Sequence, residues 1–321
     1  FFLENGDQFT NFGYATLRPF FSRRIGLGGV TIHFGARLSR KLNKDWRMGS
    51  MDMQTGESDE EGTPAENFAV FALQRRVFAR SNIGMLLVNK ESSSFEGDSA
   101  PESASGFNRN LGIEYNLASA SNLWTGKMLY LKSFTSGGRD NGSAYAGHLQ
   151  YFSRRWQILG QSENVSPDYP ADVGYVPRRG YHRGLANISH TFLPKGGHVL
   201  SHGPGIESSN FFDWQGNLAD YENAASYKIT SRAGDVFTAS AGAVYVRLLN
   251  PFDPTNSGRP KLAPGSKHHW NFWSTKFDSR PQSVFRYGYS SQYGGYYAGG
   301  TRLNLTGTVS YRFQPHVSLA G

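Results

Sequence analysis

Four of the chain's nine histidines supply residue types from which an acyl-transfer site could be built. His148, His182, His190 and His202, with Ser189, Ser201 and Asp213 nearby, offer a nucleophile, a base and an orienting acid. What is missing is spacing, because neither a GxSxG elbow nor an HExxH pair occurs. These histidines therefore read as side chains satisfied by water, and no residue is assigned a catalytic role. His268-His269 looks like a metal pair, but neighbours on a strand point to opposite faces. The acidic run Glu57-Ser58-Asp59-Glu60-Glu61 lacks the alternating acids and central Gly of a Ca²⁺ loop and reads as solvated. With no cysteine there is neither a thiolate metal site nor a disulfide. No metal and no cofactor is implied.

The elements that must carry these side chains have a period of two. In 301–313, Leu303, Leu305, Val309, Tyr311 and Phe313 share one face, with Gly307 completing the row. Arg302, Asn304, Thr306, Thr308, Ser310 and Arg312 share the other, which gives a strand with one oily and one wet face. Val30, Ile32, Phe34, Ala36 and Leu38 alternate likewise with Thr31, His33, Gly35, Arg37 and Ser39. A third copy sets Leu111, Ile113, Tyr115 and Leu117 against Asn110, Gly112, Glu114 and Asn116. Segments 45–55 and 67–79 change phase midway, which predicts a bulge or another register.

Connections sort by length. Tight turns are expected near Asn43-Lys44, Ala79-Arg80, Ser119-Ala120, Arg154, Lys195-Gly196, Ala233-Gly234, Pro281 and Gln314-Pro315. Longer polar stretches fall between them at 54–67, 92–106, 135–143, 165–179 and 250–267. The rhythm breaks at 197–231, where a loop is expected near Gly203-Pro204-Gly205, and at 293–300, which reads as a tight turn. Short turns on one rim and long loops on the other are how outer-membrane barrels are built, whereas a soluble sandwich has no reason to sort loops by parity. Composition agrees: aromatic residues are 14%, charged residues only 18%, and mean hydropathy is −0.50. No run approaches the ~20 apolar residues of a spanning helix, and in lipid a closed barrel is then the remaining option. The net charge of +8 is dispersed rather than clustered, which argues against nucleic acid.

The expected fold is all-β, an antiparallel transmembrane β-barrel of about 16 or more strands. Residues 1–29 do not alternate and read as a lead-in or lumen-packed segment, and 30–321 as the barrel. The opening residues read as a processed or incomplete piece, and His316-Val317-Ser318-Leu319 as a strand cut short. In a barrel, Trp270, Trp273, Tyr296 and Tyr297 read as an interfacial aromatic girdle. His33, Arg37, Glu114, Arg302, Asn304 and Arg312 read as lumen-facing, joined by Lys127 and Arg183, because a lipid-facing Arg at the midplane costs ~2–4 kcal/mol. Clustered lumen arginines would favour anionic solutes, while arginines paired to acids such as Glu114 would fix a plug or narrow pore. Arg23 and Arg24 are candidates to anchor the lead-in inside the barrel.

The segments FFLENGDQF, FFSRRIGL, GARLSRKL, WRMGSMDMQTG and ENFAVFALQRRVFARSNIGM resemble the DUF5916 family of Bacteroidota and related Gram-negative bacteria. The likeness is specific over 1–92 and looser to 315. It implies an N-terminal family-9-type carbohydrate-binding-like domain as a possible partner, followed by an outer-membrane barrel, of which this chain would be the barrel part. The functional expectation is a channel for small hydrophilic solutes, or a scaffold holding a partner domain or other outer-membrane proteins in outer-membrane lipid. The alternatives are an outer-membrane hydrolase acting on lipid or glycan, and a secreted glycan-binding β protein.

Overall fold

The computed structural model describes residues 7–27, 29–58, 63–93, 106–137, 141–258, 260–313 and, as strand backbone, 317–320. The period-two segments become strands β1 (Ile32–Lys41), β2 (Trp46–Thr55), β3 (Glu66–Val77), β4 (Ser81–Ser92), β5 (Gly106–Ala118), β6 (Trp124–Thr135), β7 (Ser143–Phe152) and β8 (Trp156–Val165). The series continues through β9 (Tyr181–His190), β10 (Val199–Asp213), β11 (Leu218–Ser231), β12 (Val236–Arg247), β13 (Lys267–Asp278), β14 (Phe285–Gly295), β15 (Thr301–Phe313) and β16 (Val317–Ala320). They form one antiparallel sheet ordered as in the chain. This sheet is not closed: β1 and β16 stand at its two ends, and no ladder joins them among the described residues. The last strand pairs with β15 over only Val317–Ala320, too short a ladder to seal a seam. Two compact units divide the chain, the first being Phe1–Leu149 with Ser162–His182, the second Gln150–Gln161 with Arg183–Gly321.

In the first unit the ladders from β2 to β6 run without a register shift. The phase change expected at 45–55 and 67–79 is therefore not a bulge. Both faces of β3 are apolar because both are covered or greasy. Phe68, Val70 and Ala72 lie buried on the side that carries Glu114, while Phe71 and Leu73 lie on the other. Across the ladders of β1 to β6 the irregularity is in β1, between Ile32 and Phe34, where it interrupts the alternation expected across 30–38.

What covers that side is the non-alternating start of the chain. Residues 7–25 include a helical turn at Asp7–Thr10 and a 3-10 turn at Ser22–Arg24. Phe9, Phe12, Leu17, Phe20 and Ile25 are buried, together with Leu86, Val88, Leu129 and Leu131 from the wall. The β8–β9 connection folds over the same side, burying Tyr169 and Val173. It is tied to the start of the chain by reciprocal bonds between Arg18 and Tyr175 and by the Phe21 N–H donating to Val173 O at 2.7 Å. The wet face of this unit is thus covered by the chain itself.

In the second unit, the loop expected at Gly203-Pro204-Gly205 is not there. β10 runs straight through those residues, and the chain reverses at Trp214–Asn217. Asp213 makes that turn, its Oδ1 accepting the N–H groups of Gln215 and Asn217, with Gly216 at φ +85°. A four-residue turn of Trp, Gln, Gly and Asn carries less turn chemistry in its letters than Gly-Pro-Gly does. Yet only the later reversal keeps Glu207, Ser209 and Phe211 in phase with Glu222 and Asp220.

If the Glu114-bearing side of the first unit is a core, Leu86→Ala should cost about 2–5 kcal/mol. Leu87→Ala, one residue along on the opposite face, should cost much less when unfolding in detergent is followed by heat or denaturant.

Candidate functional site

Glu114 on β5 is a buried charged group of the first unit. Its Oε2 accepts the Gly13 N–H at 3.0 Å and lies 3.1 Å from the Lys127 ammonium, while its Oε1 accepts from Asn116 at 2.7 Å. Lys127 in turn donates to Asn11 O at 3.0 Å and Gly13 O at 2.9 Å. The ion pair therefore spends its remaining hydrogen-bonding capacity on the backbone of the N-terminal segment. Tyr14 adds its hydroxyl, which donates to Lys127 O at 3.1 Å and meets His148 Nδ1 at 2.9 Å. Burial pushes the Tyr14 phenol well above its usual range, and the negative charges of Glu163 and Glu114 push it further. Tyr14 is a neutral hydrogen-bonding group, not a base.

Glycines in the wall make the sockets. A Cβ on Gly112 would stand 2.6 Å from the Phe12 ring, and one on Gly49 would stand 2.7 Å from the Phe9 ring. Both phenylalanines need bare backbone opposite them. Arg37 lies over Phe9 at 5.4 Å from its centroid, so this lumen candidate also faces the segment. His33 is exposed and its ring rests against Gly56. Of the Arg23 and Arg24 pair, both exposed, Arg24 donates from Nε to Gly174 O at 3.2 Å.

The second unit's candidates lie apart from these. Arg302 donates from Nε to Asn304 Oδ1 at 2.9 Å and sits over Tyr296, while Arg312 is exposed. Sequence reasoning missed a cavity of about 610 Å³ on the wet face, lined by Arg183, Glu207, Ser209, Phe211, Glu222 and Tyr297. Arg183 donates to Ser209 Oγ at 3.2 Å and lies 4.9 Å from the Phe211 centroid. Of these, only Arg183 and, as a girdle residue, Tyr297 stood out beforehand. The misplaced turn at 203–205 hid the rest, because it broke the alternation that puts both glutamates on one side. Mixed charge with aromatic walls suits a polar solute bearing hydroxyl or amino groups.

The four girdle candidates separate. Trp270, Tyr296 and Tyr297 pack together at 4.9–6.0 Å between centroids, beside His268. Trp273 lies on the other face, 70% exposed and opposite Tyr293. On that face Trp273 pairs across with Ala241, in the middle of β12. Phe237 and Tyr245 bracket Ala239, Ala241 and Ala243 on β12, and Tyr221 stacks on Tyr245.

Of the catalytic residue types, Ser189, His190, Ser201 and His202 border one cavity of about 440 Å³, but each serine and its neighbouring histidine diverge. Ser201 and His202 point to opposite faces, as do Ser189 and His190, by strand alternation. His190 and His202 belong instead to an aromatic ladder with Trp156, Phe192 and Tyr227. His182 meets Asn164, and Asp213 pairs with Arg247 at 2.5 Å. His268 meets Ser266 Oγ at 3.0 Å. Among the described residues no group of three or more His, Asp or Glu side chains could hold a metal ion. Of the acidic run at 57–61, residues 59–61 lie outside the described residues, as does the turn expected at Gln314-Pro315.

No family model, no curated protein and no solved structure matches this chain.

Lys127→Met should cost about 3–5 kcal/mol, because it strands a buried carboxylate. Adding Glu114→Gln should recover part of that loss in denaturant unfolding. Gly112→Val should expel Phe12, read as new protease cleavage within residues 7–25.

Proposed function

We propose that this chain is the wall of an outer-membrane β-barrel of a Gram-negative bacterium, whose first unit is filled by its own N-terminal segment and whose second unit offers a polar solute site. One observation carries the reading: the apolar rows are exposed, and on β5 and β6 of the first unit they are exposed while the opposite row is buried. Leu305 is 70% exposed, Met128 68% and Leu38 57%, while Glu114 on the opposite face is 5% exposed. A sheet meant for water would stack that oily face on another layer. Acyl chains satisfy it without one. The dimensions agree, since Leu303 to Phe313 rises roughly 34 Å along β15 at ~3.4 Å per residue. That becomes roughly 26 Å along the axis of a barrel with strands tilted ~40°, close to the ~25 Å apolar band of such proteins. Aromatics bracketing alanines on β12 fit two interfacial girdles.

Between a channel and a scaffold, the packed first unit favours restricted passage. The cavity beside Arg183, Glu207 and Glu222 favours a bound hydrophilic solute over free flow. Membership of the two-part family it resembles would make a carbohydrate-binding-like domain the partner held at the membrane. The hydrolase reading loses its support with serines and histidines on opposite faces.

The purified chain should require detergent, resist unfolding in SDS until heated, and insert into planar bilayers with little conductance. Gly112→Val should raise that conductance severalfold by loosening the segment. A monodisperse product without detergent would instead select the secreted glycan-binding alternative.

A further inference from the structure

The short-turn rim of the first unit is a basic surface studded with bare apolar side chains. Arg40, Lys41 and Lys44 surround the β1–β2 turn, and Arg75, Arg76 and Arg80 the β3–β4 turn; the one acid among residues 40–46 and 75–82 is Asp45. Asp45 is engaged by Arg76 at 3.1 Å. The long connections at the opposite strand ends, 56–65, 93–105 and 136–142, are acidic in sequence, with Arg139 their lone base.

Each short turn of this unit also exposes an apolar residue: Leu42, Phe78 and Leu123. Phe78 is 85% exposed and sits at φ 54°, a conformation in which a non-glycine residue is strained. The fold derives nothing from a phenylalanine there, since glycine or asparagine would make the turn with less strain. Trp46 stands just above with Arg75 over its ring at 5.2 Å. The second unit repeats the pattern, with Phe152 and Trp156 exposed around Arg154-Arg155 and Phe192 exposed before Lys195.

Resting on the barrel reading, we propose that this rim docks on anionic phospholipid headgroups of the leaflet that the short turns face, with Phe78 inserted among them. Cations interleaved with aromatic and aliphatic tips match a surface that is negative outside and oily within. The rim continues the exposed oily face of the same strands, so one lipid layer can meet both. Each Lys or Arg near an anionic membrane is worth about fivefold in binding.

The absence of cysteine makes the test clean. The full chain carrying Phe78→Cys, or Thr63→Cys at the long-loop end as control, is labelled with an environment-sensitive fluorophore. It is then inserted into phosphatidylcholine vesicles with or without phosphatidylglycerol. The label at 78 should be quenched by lipids brominated near the headgroup, more strongly with phosphatidylglycerol present. Arg40→Gln/Lys41→Gln/Lys44→Gln should lower the preference for phosphatidylglycerol about tenfold or more while leaving heat-modifiable mobility in SDS unchanged. An inserted chain whose label at 78 stays in water, or a triple variant that keeps the preference, overturns the lipid assignment and leaves the barrel reading standing. Displacement by poly-glutamate would overturn it in favour of an acidic protein partner. A chain that enters no vesicle removes the barrel reading itself, and this inference with it.

Discussion

A strand that alternates leucine with arginine can be satisfied only if its two sides meet different surroundings, and this condition governs the whole chain. Backbone pairing in the antiparallel sheet fixes which residues share a side, and a shift of one residue would exchange them all. Once Glu114 faces one way, ladder registry sends Asn110, Leu86 and Lys127 the same way and Ile113, Leu87 and Met128 the other. The apolar side is then left bare along much of the sheet. That is the opposite of a water-soluble sandwich, in which the apolar side would be the core.

The first unit answers the need of its polar side in an economical manner. Instead of water, the side holding Glu114 and Lys127 receives residues 7–25 of the same chain, and the charges end up bonded to backbone groups of Asn11 and Gly13. A buried ion pair of this kind is poor evidence of net stability but a strong determinant of placement, because any other arrangement leaves a charge without partners. The glycine sockets at Gly49 and Gly112 add shape to that electrostatic specification. The second unit keeps a cavity of about 610 Å³ lined by Arg183, Glu207 and Glu222, against one of about 230 Å³ beside Glu114 and Lys127 in the first.

Much of this was legible without coordinates. Alternation in 301–313 and 110–117 determined strands and faces, because a period of two is a local property of pleated backbone. Turn chemistry located most of the tight turns among the described residues, the one at Trp214–Asn217 excepted, since turns are written in short runs of Gly, Pro, Asn and Ser. Local letters also misled. Gly203-Pro204-Gly205 looked like a turn but lies inside β10, where sheet registry overrides local preference. The apparent phase change near 67–79 looked like a bulge and is a strand apolar on both sides.

By itself the sequence determined the secondary structure, the two-faced character of the sheet and the residues each face would carry, because these depend on neighbours one or two positions apart. Only the tertiary structure decided what covers a face. Phe12 meeting Gly112, Lys127 meeting the carbonyls of Asn11 and Gly13, and Arg24 meeting Gly174 join residues about a hundred or more positions apart, and no period records them. The Arg183 cavity had the same origin: registry between strands, which is settled by the sum of the ladders and not by any one of them.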